Sequence, residues 1–138
     1  MNRTKHSILT LAVFVTGALA SAIAMATEVP VTLSGASEVP PVQTAAGGRG
    51  KIVVGDDGAV SGGITTTGIA GTIAHIHMGA TGKNGPPIVS LTKQGDTFEV
   101  PPGAKLTAEQ MKAFKAGELY VNVHSVAHGG GEIRGQLK

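Results

Sequence analysis

Four of the five histidines in the chain fall in two short stretches, His75 and His77 in "AHIHMG" and His124 and His128 in "NVHSVAHGG". Imidazoles two residues apart on a strand start from Cα atoms roughly 6.5 Å apart on one face, and can converge on one ion at about 2 Å. A lone His-x-His pair also serves as surface polarity or as a loop anchor. The clustering of every histidine beyond the leader is what favours a metal site formed by His75, His77, His124 and His128. The donor chemistry then constrains the ion. Three or four neutral imidazoles without thiolate suit copper(II), which heads the affinity series, with zinc as the alternative, and suit calcium poorly.

Other residues offer less. Asp56 and Asp57 are adjacent acids before Gly58, a turn signature, and neighbouring strand residues diverge too far to act as a carboxylate pair. "GATGKNGPP" lacks the spacing and the following helix of a phosphate loop. No serine sits in a nucleophile elbow, and the absence of cysteine excludes thiolate chemistry. Met78 has the parity of Ala74 and Ile76, which points it toward a core rather than toward the histidines. Arg134 reads as a strand-surface ion-pair partner, or, beside a bound metal, as a cation that attracts and orients a small anion.

The elements that must position these residues are mostly strands. Twenty-one glycines and seven prolines, with many Val, Ile and Thr residues between them, predict short strands and tight turns. "EVPVTLSG" opens the series and "SEVPPVQTAAGG" interrupts it, because Pro40 and Pro41 cannot donate to a ladder. A hairpin around Asp56-Asp57-Gly58 follows, then strands in "GTIAHIHMG", "PIVSLTKQ", "ELYVNVHS" and "GEIRGQL", with "DTFEVPPGAKL" extended. One helix is predicted, where Thr107 and Gln110 form a capping box ahead of "AEQMKAFKAG" and Gly117 supplies a left-handed end. Its Met111 and Phe114 face the sheet. Alternation places Leu119, Val121 and Val123 in the core with Ile133 and Leu137. It sends His75, His77, Tyr120, Asn122, His124, Glu132, Arg134 and Gln136 to the outer surface.

Residues 1–26 are read as a secretory signal peptide: a basic head, the apolar run "ILTLAVFVTGALASAIAM", and the small-x-small triplet Ala24-Met25-Ala26, with Ala18 to Ala20 as a second cleavage candidate. The domain then spans residues 27–138, one core without disulfides, in the periplasm or secreted. Arg3 and Lys5 leave with the leader, so nine basic residues face nine acids. No cationic run remains to track phosphates, which excludes a nucleic-acid partner, and no later stretch is apolar enough to span a bilayer.

Three blocks, "SGASEVPPVQTAAGGRG", "AHIHMGATGKNGPPIVSL" and "GELYVNVHSVAHGGGEIRGQL", resemble the CHRD domain, named after chordin and common in exported bacterial proteins. The resemblance runs from about Val31 to Leu137. It implies a single Greek-key antiparallel β-sandwich of immunoglobulin-like or superoxide-dismutase-like type, all-β but for one short helix. His75, His77, Asn122, His124, Glu132, Arg134, Gly135 and Gln136 match the family pattern, whereas His128 lies in a stretch that varies. The spacing is also similar to the copper site of copper-zinc superoxide dismutase. The zinc loop, its bridging histidine and the dismutase disulfide are missing, so that likeness extends to a copper-only site at most.

The expectation is an exported binding module with a surface copper or zinc site, more a binder than an enzyme. A dismutase-like oxidoreductase with Arg134 steering the anion is one alternative. A protein or glycan interaction domain without metal is the other.

Overall fold

The computed structural model describes residues 25–138, so the predicted leader falls, except for its last two residues, outside the described residues. Eight strands run in order: β1 (Ala26–Ser34), β2 (Gly47–Gly55), β3 (Val60–Thr67), β4 (Gly71–Met78), β5 (Pro87–Gln94), β6 (Thr97–Glu99), β7 (Leu119–Ser125) and β8 (Ile133–Leu137). Among the described residues a single α-helix, α1 (Ala108–Lys115), lies between β6 and β7. Each strand except β6, and the helix, fall where alternation, turn residues and the capping box place them. Thr107 Oγ1 accepts from the Gln110 N–H at 3.2 Å, and the Thr107 N–H donates to Gln110 Oε1 at 2.9 Å. Gly58 and Gly117 take the positive φ their turns require, 87° and 73°. No helix among the described residues is long and apolar enough to cross a membrane.

The expected sandwich is not what forms. All pairings are antiparallel, and the strands close in the order β1-β2-β3-β6-β5-β4-β7-β8, an eight-stranded barrel. Two contacts make the closure. The three-residue β6, read from sequence only as part of an extended segment, pairs with both β3 and β5 and joins the two halves. On the opposite side Ser34 of β1 pairs with Arg134 of β8. Alternation reads the same for a barrel as for a sandwich, since each buries one face of every strand. The distinction lies in one short strand and one seam pair, and neither has a sequence period.

Inside the barrel Leu33, Ile52, Ile64, Ile76, Phe98, Val121, Val123, Ile133 and Leu137 are each 2 % exposed or less. Met78, Met111 and Phe114 pack against this core from its margin, as their parities predict. Burying such a set stabilises by roughly 1.5–3 kcal/mol per large side chain before chain entropy is charged against it.

Candidate metal centre

β7 lies between β4 and β8, and its register sets His77 opposite Tyr120, His75 opposite Asn122, and Asn122 opposite Arg134. The outward parity of these side chains is as expected, but the face they form is not a free surface. His77, Tyr120, Asn122, His124 and Arg134 are all buried, and His75 is half-buried. Three connections cover them. Arg134 and Gln136 hold residues 79–86: Arg134 Nη1 donates to the Lys83 carbonyl at 2.9 Å and Nη2 to the Ala80 carbonyl at 3.1 Å, while Gln136 Nε2 donates to the Gly79 carbonyl at 2.8 Å. Thr44, in the connection after β1, donates to Glu132 Oε1 at 2.7 Å, and the turn at 125–131 folds back over His124. Parity tells which way a side chain leaves the strand, and cannot tell whether a loop returns to cover it.

Under these loops one ring nitrogen each of His75, His77 and His124 lies within 4.8 Å of the other two. The three ring centroids are 5.2, 5.5 and 6.4 Å apart. Two carbonyls fix the ring orientations. His77 Nδ1 is 2.9 Å from the Gly85 oxygen, and His124 Nδ1 is 2.9 Å from the Gly129 oxygen. A carbonyl only accepts, so both Nδ1 atoms carry a proton, and in the neutral ring each Nε2 keeps a lone pair. His124 Nε2 is 3.3 Å from His75 Nδ1. Two tetrahedral ligands about 2.0 Å from one ion stand about 3.3 Å apart. His77 Nε2 is fully buried and has no hydrogen-bond partner among the described residues.

The protonation states suit a cation. Burial, together with the nearby His124 and His77, holds His75 below its ordinary value of 6.5. Burial does the same for His77 and outweighs the opposing pull of the Gly85 carbonyl and the Asn122 amide. Neutral imidazole is the ligand form.

His128 stands outside the group of three. Its backbone N–H donates to the Ser125 carbonyl at 3.2 Å and to Ser125 Oγ at 3.1 Å, closing the turn that presents Gly129 to His124. Arg134 is 1 % exposed, with Asn84 Oδ1 at 3.4 Å and Gln136 Oε1 at 3.1 Å as its further acceptors. Its guanidinium carbon lies 3.4 Å from the Tyr120 ring centroid, and the same ring stacks on His77 at 4.7 Å with 7° between planes.

Two site residues escaped the sequence reading. Tyr120, the sole tyrosine, shares the parity of Asn122 and His124, which was its available signal. Glu38 is 5 % exposed and beside Asn122, and burial raises its carboxyl above 4.5 against the pull of Arg134 and Asn122. Its only signal was an acid next to Pro40-Pro41 in a segment without strand periodicity.

The CHRD domain family matches residues 29–137. The chain belongs to the CHRD-domain family. Comparison with curated proteins and with solved structures finds no match.

Proposed function

We propose that the domain is an exported metal-binding module in which His75, His77 and His124 hold one ion, with copper favoured and zinc the alternative. The observation that carries this reading is His77 Nε2, a buried lone pair with no partner among the described residues, in a group whose other two rings present nitrogens to the same place. An unmade buried hydrogen bond costs about 1–3 kcal/mol, and a metal ion offsets that cost directly. Three imidazoles with no thiolate and no carboxylate among them match the preference of copper(II) or zinc(II). His128 is left out of this ligand set because its ring stands apart from the others.

Binding is favoured over dismutation by the state of Arg134. The four hydrogens of its two terminal nitrogens are matched by four acceptors, three of them on the 79–86 loop, and Tyr120 covers its face. A guanidinium engaged in this way clamps the loop that carries the Gly85 carbonyl and is not free to guide an anion. The exported setting rests on the basic head, apolar run and small-residue triplet of residues 1–26.

Titration of residues 27–138 with copper(II) tests the reading. One equivalent should produce a d–d band, and the band should vanish in the His75→Ala/His77→Ala/His124→Ala variant. An identical spectrum in that variant would contradict the site. Metal analysis of protein taken from its native compartment then separates copper from zinc.

A further inference from the structure

Three buried side-chain atoms lack a partner among the described residues: His77 Nε2, Asn122 Oδ1 and Glu38 Oε1. In the neutral tautomer fixed by Gly85, the first has a lone pair and no proton. The other two are an amide oxygen and, with Glu38 ionised, a carboxylate oxygen, so in that state all three are acceptors without a donor. Their residues are neighbours. Asn122 pairs with His75 across β4 and β7, and Asn122 Nδ2 and Glu38 Oε1 border the same point beside Gly131. Both oxygens belong to side chains at least nine-tenths buried, 3 % exposed for Asn122 and 5 % for Glu38.

Gly131 shows that this space is shaped. A Cβ there would lie 2.5 Å from Glu38 Oε1 and 2.6 Å from Asn122 Nδ2, and the residue has φ of +123°. A glycine is required for the 125–131 turn to close over the two side chains, and any other residue would displace them.

A metal ion alone satisfies only His77. Two oxygen acceptors remain, and the four terminal hydrogens of the adjoining Arg134 are already matched by acceptors elsewhere. One molecule supplies the missing chemistry: a water with its oxygen on the ion and its two hydrogens free to donate.

We infer that the ion held by His75, His77 and His124 carries a water ligand on its inner side, donating to Asn122 Oδ1 and Glu38 Oε1. This rests on the three-histidine reading and adds the fourth ligand, an exchangeable oxygen donor in a pocket built by the protein. Asn122 and Glu38 are positioning residues, acting on the ion through the water. The same pocket would admit, in place of water, a small ligand that both coordinates and donates hydrogen bonds, such as hydroxylamine, in preference to an acceptor-only anion such as azide.

The test is electron paramagnetic resonance of the copper(II)-loaded domain in ordinary water and in water enriched in oxygen-17. The expected wild-type spectrum shows coupling to three imidazole nitrogens and lines broadened by oxygen-17. In Asn122→Leu, and separately in Glu38→Leu, the nitrogen pattern should persist while the broadening is lost or clearly reduced. Three-nitrogen coupling without broadening in the wild type would overturn the inference and leave the metal site standing. Broadening that survives unchanged in a variant that folds and keeps the nitrogen pattern would overturn it as well, since the water would then owe nothing to that side chain. Absence of nitrogen coupling in the wild type would remove the metal reading and the inference with it. If either variant fails to fold, the wild-type comparison and the other variant still decide.

Discussion

Both faces of β7, and of β4 at Ile76 and His77, are buried, by opposite means. On the inner face Ala74, Ile76, Val121 and Val123 are 0–1 % exposed and pack against apolar neighbours across the barrel. On the outer face His77, Tyr120, Asn122 and His124 are 2–9 % exposed, beneath loops tied down by Arg134, Gln136 and Thr44. The inner face gains free energy from contact area. The outer face spends some of it, since three acceptors are sealed there without donors among the described residues. On the reading proposed above, the polar side is kept for a ligand and the apolar side for stability.

Substitutions on the two faces should therefore separate stability from binding. The largest stability loss is expected inside: Ile76→Ala should cost about 2–5 kcal/mol in denaturant unfolding, with copper affinity per folded molecule unchanged. On the outer face the balance inverts. His77→Ala should lower copper affinity by more than ~100-fold, beyond what loss of an outer-sphere partner costs. It should change metal-free stability by only about 1 kcal/mol, because the lost Gly85 bond and Tyr120 stacking are offset by removal of an unpaired buried atom. Calorimetric titration and urea melts read the two effects.

Gly131→Ala sharpens the comparison at the loop. Its Cβ meets Glu38 and Asn122, and its backbone at φ +123° is strained for any side chain, so a loss of about 1–3 kcal/mol is expected in thermal melts. Copper affinity should fall as well, as Asn122 and the Gly129 carbonyl shift.

The smallest effect is on pH dependence. His75 and His77 are held below 6.5 in the folded state, so they bind protons more readily unfolded. Their contribution to stability is complete above 6.5 and is lost as pH falls through their depressed folded values. Glu38 works the other way: raised above 4.5, it contributes below 4.5 and loses that contribution as pH rises through its folded value. Proton competition at His75 and His77 should weaken copper binding only as pH falls below 6.5, a later onset than for free imidazole. Titrations between pH 5 and 8 would show the decline starting above 6.5 if the rings were not shielded.

Most of the fold was legible because each strand except β6 carries its own period and most turns their own glycine. Thr107, Gln110 and Gly117 marked both ends of α1 without any tertiary information. The closure was not legible, because it depends on Thr97–Glu99 reaching two partners at once. At the site, the convergence of His75, His77 and His124 followed from parity and from β4 and β7 being neighbours. Glu38 and the burial of Arg134 did not, since loops with no periodicity bring them there.

Copper K-edge X-ray absorption on the domain loaded with one equivalent tests the central claim most directly. The account predicts scattering from three imidazole rings at about 2.0 Å, falling to two in His124→Ala. A spectrum fitted by oxygen or nitrogen neighbours with at most one imidazole, and unchanged in His124→Ala, would contradict it.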